Sequence, residues 1–121
     1  MAQVRYFVTD VGASVEFYSG LLGFEVIQQF GPAMAILERD DLTLWLAGPD
    51  ASASRPMPDG SVPAPGGWNR FVLTVDDLAA TVEALRGRDA RFRNEIVSGP
   101  GGQQILVQDP DGNVVELFQA A

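Results

Sequence analysis

The chain is close to a sequence written twice. Val8-Thr9-Asp10 aligns with Val75-Asp76-Asp77, Ser14-Val15-Glu16 with Thr81-Val82-Glu83, and Gly20 with Gly87, each pair 67 positions apart. Each copy opens on an alternating apolar run (Val4, Tyr6, Val8; Phe71, Leu73, Val75), the period of a strand with one buried face. An aspartate follows, Asp10 or Asp77, able to accept the free N–H groups of a helix start. Apolar residues at helical spacing come next. The first helix is expected from about Gly12 to Leu22, with Val15, Tyr18 and Leu22 on one face and Gly23 ending it in the left-handed conformation glycine tolerates. The second carries Leu78, Val82 and Leu85 and ends near Gly87. Three alternating segments follow each helix: Phe24–Gln29, Ala33–Glu38 and Leu42–Leu46, then Arg91–Ile96, Gln104–Gln108 and Val114–Phe118. Asp40-Asp41 and Asp111-Gly112-Asn113 supply the hairpin turns between the last two of each set. A fold built this way is α+β, two βαβββ modules in one chain.

At 121 residues and 46% hydrophobic content the chain buries one ordinary core, so the copies read as modules of a single domain, 1–121. Module one spans about 1–48 and module two about 68–121. Between them, 49–67 holds five prolines and no apolar period, the signature of a linker or surface loop. The net charge of -8 and pI near 4.2 oppose binding to nucleic acid or anionic membrane, both of which need basic patches. All eight basic residues are arginines, and the cluster Arg86, Arg88, Arg91, Arg93 is interleaved with Glu83, Asp89 and Glu95 as in a solvated face. No apolar run reaches the roughly 20 residues of a membrane span, and the first residues lack the layout of a secretion signal, so the expected location is the cytoplasm. There is no cysteine and no histidine, which removes disulfides, thiol catalysis, the commonest neutral-pH base and the favoured transition-metal donors.

Asp109-Pro110-Asp111-Gly112-Asn113-Val114-Val115-Glu116-Leu117-Phe118 is a tight turn followed by a strand with a single carboxylate on an apolar run. Together with Ser14-Val15-Glu16-Phe17-Tyr18 leading into Leu21-Leu22-Gly23-Phe24-Glu25-Val26, and with the doubled βαβββ order, this turn resembles the vicinal-oxygen-chelate superfamily. That superfamily includes glyoxalase I, extradiol dioxygenases and bleomycin-resistance proteins. The resemblance covers essentially the whole chain. It implies a curved mixed sheet around a concave pocket, with metal ligands from the first and last strands of each module. Those positions carry over to Gln3, Arg70 and Glu116, with a fourth near Leu44, or at Thr43 or Trp45 if that strand slips by one. Only Glu116 keeps a ligand type, and Arg70 brings a permanent cation to the place of a metal.

A substituted site follows, with Arg70 facing Glu116 as an ion pair. Such a pair either ties the structure together or leaves Arg70 to bind a carboxylate, phosphate or phenolate of a ligand. Strand alternation puts Arg5, Phe7, Val72 and Thr74 on the face of Gln3 and Arg70, and Val114 and Phe118 beside Glu116. Trp68 and Asn69 stand at the pocket rim, and Trp45 is either rim or core. The expected function is binding of a small organic ligand by Gln3, Arg5, Phe7, Leu44, Trp68, Arg70, Val72, Glu116 and Phe118, without metal or cofactor, in a homodimer. The alternatives are a lyase, isomerase or dioxygenase with Glu116 as catalytic base or metal ligand, and a module that binds only a protein partner.

Overall fold

The computed structural model describes residues 2–121. It resolves into two compact units, one ending at Gly66 and one beginning at Gly67. The first contains β1 (Ala2–Phe7), α1 (Val11–Leu21), β2 (Glu25–Phe30), β3 (Met34–Arg39), β4 (Leu42–Ala47) and a single 3-10 turn at Ser52–Ser54. The second contains β5 (Val72–Thr74), α2 (Leu78–Arg86), β6 (Arg91–Phe92), β7 (Val97–Gly99), β8 (Gly102–Gln108) and β9 (Val114–Ala120). Each unit builds its own mixed sheet. In the first the order is β1-β4-β3-β2, in the second β5-β9-β8-β6 with β7 also on β8. In both, the opening strand pairs in parallel with the last one and the rest is antiparallel. The doubled sequence is therefore a doubled topology. Among the described residues no helix is long and apolar enough to cross a membrane.

The helix starts are where the aspartates put them. Asp10 Oδ1 accepts the Ala13 N–H at 3.0 Å and Asp77 Oδ1 the Ala80 N–H at 3.1 Å, each satisfying a donor that the first helical turn leaves free. Gly23 ends α1 with φ 72°, and the N–H groups of Leu22 and Phe24 both donate to the Tyr18 carbonyl. The helix begins one residue earlier than its spacing suggests. It buries Val11, Ser14, Phe17 and Tyr18, whereas Val15 is only half-buried. Tyr18 is the hinge of the first core, edge-on to Phe17 at 5.0 Å and to Phe24 at 5.6 Å between ring centroids. Leu37, Leu44 and Leu46 fill the space beside it and are fully buried, each stabilising the unit by about 1.5–3 kcal/mol. In the second unit Leu78, Val82 and Leu85 of α2 face the buried side of its sheet, where Leu73, Ile105, Val107, Val115 and Leu117 lie. Gln119 Oε1 accepts the Leu78 N–H at 2.7 Å, fastening the start of α2 to β9.

One expected strand is broken. In place of a continuous run at 91–96, β6 stops at Phe92 and β7 starts at Val97. The cause is Asn94: its side-chain Oδ1 accepts the Leu106 N–H at 3.0 Å, while the Arg93 N–H donates to the Leu106 carbonyl at 2.9 Å. A side chain thus takes the place of the backbone acceptor at that rung. Residues 49–66 fall with the first unit, where Ser54 Oγ donates to the Gly48 carbonyl at 2.7 Å. From Arg55 to Gly66 the chain is almost entirely exposed.

Candidate functional site

The second unit carries Glu116. The parallel register of β5 and β9 sets Val72 opposite Glu116 and Thr74 opposite Phe118, and β8 adds Leu106 and Gln104 beside the same two residues. Period two then places these six side chains on one face, turned away from the α2 core. Arg70 lies just before β5 and reaches Glu116 with two hydrogen bonds, Nε at 3.1 Å and Nη2 at 2.9 Å. Both end on Oε1. The second carboxylate oxygen, Oε2, receives no hydrogen bond from the described residues. The side chains are 29% and 11% exposed, so this is a charge pair at the edge of water with its carboxylate on the dry side. Nη1 of Arg70 also donates to the Trp68 carbonyl at 3.4 Å.

The turn ahead of Glu116 is held from two sides. Asp109, fully buried, accepts the N–H groups of Asp111 and Asn113 and the Asn113 side-chain amide, each at 2.9 Å. Arg93 donates to the carbonyls of Gly67 at 2.8 Å and Gly112 at 2.9 Å, and its guanidinium stacks on Trp68 at 4.4 Å from the ring centroid. Arg91 donates to the carbonyls of Asp109 and Pro110, each at 3.3 Å. Composition suggests only a solvated face for this arginine cluster. In fact Arg91 and Arg93 clamp the turn that aims β9, and they can do so because i and i+2 along an extended segment point the same way. Arg86 does stay on the surface, paired with Glu95 at 2.9 Å. Trp68 is 67% exposed and lies over Arg93.

In the first unit β1 and β4 run in register, Gln3 opposite Thr43, Arg5 opposite Trp45 and Phe7 opposite Ala47. The Arg5 guanidinium sits 4.7 Å from the Trp45 ring centroid. Gln3, Val4, Arg5 and Trp45 line a hollow of about 250 Å³. Phe7 is half-buried farther along the same face. Leu44 needs correcting. It is fully buried on the core face with Leu46, so it cannot line this surface. Trp45 takes its place, half-buried at the hollow instead of in the core. The registers also align the two units internally: Arg5 and Trp45 correspond to Val72 and Glu116, which makes Trp45 the first-unit counterpart of the carboxylate.

Neither unit by itself offers donors that suit a divalent metal: in the first, Gln3 brings a neutral amide and Trp45 no lone pair for a metal, and in the second, Glu116 Oε1 is already engaged by a guanidinium. Among the described residues no three carboxylate, histidine or cysteine side chains converge.

A family model of the Glyoxalase/Bleomycin resistance protein/Dioxygenase superfamily matches residues 1–117. The chain is 29% identical over 115 residues to the uncharacterized protein YwbC of Bacillus subtilis (strain 168), covering 93% of this chain and 90% of that one. It is 26% identical over 127 residues to a probable chloroplastic lactoylglutathione lyase of Arabidopsis thaliana, covering 98% of this chain but only 35% of the plant protein. The fold superimposes with a TM-score of 0.73 on the crystal structure of an antibiotic-binding protein from Streptomyces sp. CB03234, at 24% identity, covering 98% of this chain and 93% of that one.

Proposed function

The chain belongs to the Glyoxalase/Bleomycin resistance protein/Dioxygenase superfamily, and on that premise we propose that it is a binding protein that sequesters a small organic compound without a metal. One observation carries the reading. The carboxylate at the family's last-strand ligand position is occupied by Arg70 through two hydrogen bonds, so a cation other than a metal already neutralises it. Binding needs no proton shuttle, which agrees with a chain that has no histidine. A protein of like fold that is described as antibiotic-binding supports the reading.

The test is direct. Protein purified without chelator is analysed for metals, then stripped with chelator and screened for ligands through Trp45 and Trp68 fluorescence. Ligand binding that survives stripping supports the reading. Stoichiometric zinc, nickel, iron or manganese whose removal abolishes binding overturns it. A second reading rests on the unengaged Oε2 of Glu116, which has the reach of a general base toward a bound substrate, and on the lyase named among the relatives. Turnover by stripped protein that disappears in Glu116→Gln favours it. The homodimer expected from the family resemblance is checked by light scattering.

A further inference from the structure

We propose that the second unit binds a neutral, flat molecule whose edge carries one hydrogen-bond donor and one acceptor, as in a carboxamide, a lactam or an adjacent hydroxy-carbonyl pair. That edge meets the Arg70–Glu116 pair, and the apolar body lies over Phe118 toward the glycine turn between β7 and β8. The proposal rests on the metal-free binding reading above and adds the chemical class of the ligand and the residues that select its size.

At 2.9 Å the guanidinium and the carboxylate largely cancel each other, so an incoming ion finds little net field and must break the pair to gain a partner. A neutral edge has no such obstacle. Oε2 is an acceptor with no protein donor among the described residues, and Arg70 uses Nε and one hydrogen each of Nη1 and Nη2, leaving further N–H groups beside it. An acceptor next to a donor is the complement of an amide edge.

The surface beyond the pair is apolar and open. Val72, opposite Glu116, is 50% exposed, and Val97, 49% exposed, heads the next row of the same face, Val97, Gln104, Phe118, Thr74. A hollow of about 140 Å³ is lined by Val97, Gly99, Gly101, Gly102, Gln104 and Phe118. From Glu116 to Ala120, at the glycine end of β9, is four residues, or about 13 Å of extended strand. That is roughly the length of a fused tricyclic ring system. The glycines decide the matter. Gly102 is there for its backbone, since φ is 145° and an added Cβ would collide with the Gln119 carbonyl. Gly99 and Gly101 have no such excuse: neither adopts the left-handed backbone, and a Cβ on either meets nothing within 4 Å. Neither fold nor packing demands glycine at these two positions. Gly99, two residues from Val97 on the same strand, shares its face, so a side chain there would stand beside the hollow that Phe118 lines.

Three isosteric tricyclic probes test this: anthracene-2-carboxamide, anthracene-2-carboxylate and the anthracene-2-carboxamidinium ion, titrated by calorimetry into chelator-treated protein, with amide NMR shifts to locate the contact. The amide is expected to bind at least about fivefold more tightly than either ion. Arg70→Met, which strips Glu116 of its partner, is expected to turn the preference toward the amidinium probe, and Glu116→Gln toward the carboxylate probe. Gly99→Val is expected to weaken the amide about tenfold or more with melting temperature unchanged, and Gly99→Ala, the milder variant, by less. The proposal is overturned if an ion binds wild type best, if no probe binds, or if folded Gly99→Val retains wild-type affinity. None of those results touches the metal-free reading, which stands or falls on metal content and on the wider screen of stripped protein.

Discussion

Removing Arg70 isolates what its charge does for a mostly dry carboxylate. Arg70→Met keeps most of the apolar stem and deletes the guanidinium, leaving Glu116, 11% exposed, without its two donors. Two unit charges at about 4 Å interact by about 4 kcal/mol at an effective dielectric of about 20. Arg70 is 29% exposed, so solvent screening reduces that by about half, and the expected loss is about 2 kcal/mol. For a chain of this size the melting temperature should fall by about 6–10 °C. Urea denaturation followed by tryptophan fluorescence and far-ultraviolet circular dichroism measures both the loss and its two-state character. The converse change should matter less. In Glu116→Leu the freed guanidinium turns to water, which Glu116 cannot do, so the expected loss is about 1 kcal/mol or below. The double variant Arg70→Met/Glu116→Leu strands no charge and should be more stable than Arg70→Met alone. An Arg70→Met stability within about 0.5 kcal/mol of wild type, or a further loss on adding Glu116→Leu, would show that the guanidinium does not stabilise this carboxylate.

Ser14 is fully buried in α1 and its Oγ has no hydrogen-bond partner, so Ser14→Ala should raise the urea-derived stability by about 1 kcal/mol; a drop of similar size would mean the hydroxyl is satisfied after all. Asp109→Ala removes the acceptor of three N–H groups at the β8–β9 turn and should lower stability by about 2–4 kcal/mol, with Asp109→Asn losing less, and equal losses in the two variants would refute the carboxylate's role as the shared acceptor. Hydrogen bonds from the Ser61 hydroxyl and backbone N–H hold the Asp59 carboxyl below the usual aspartate range. The charged form is the one favoured on folding, so this contribution is present above the ordinary aspartate pKa and fades as pH falls through the lowered folded value. A carbon-detected NMR titration should find Asp59 low in wild type and returned upward in Ser61→Ala, and no difference between the two would reject the assignment.

The repeat made most of the architecture readable, because the same local signals occur twice: alternation, aspartate cap, helical spacing, turn residues. The strand Leu42-Thr43-Leu44-Trp45-Leu46-Ala47 resisted, since it is apolar on both faces and its period does not say which leucines point inward. Only the in-register pairing with β1 assigns Leu44 to the core and Trp45 to the open face. The Arg70–Glu116 pair was legible only through the family resemblance, which carries two ligand positions over to these residues; nothing in the local pattern around Arg70 names its partner. The arginine clamps on the 109–112 turn were not, because their acceptors are backbone carbonyls, which every residue has and no composition reveals. The break at Asn94 was hidden for the same reason, a side chain replacing a backbone group.

Every rung of the first sheet joins residues before Gly48, and every rung of the second joins residues after Phe71. A protease cutting in the exposed, proline-studded stretch between them would sever covalent continuity while leaving both ladders whole. Natural variation and peptide insertion are therefore cheapest there, where length can change without shifting a single pairing.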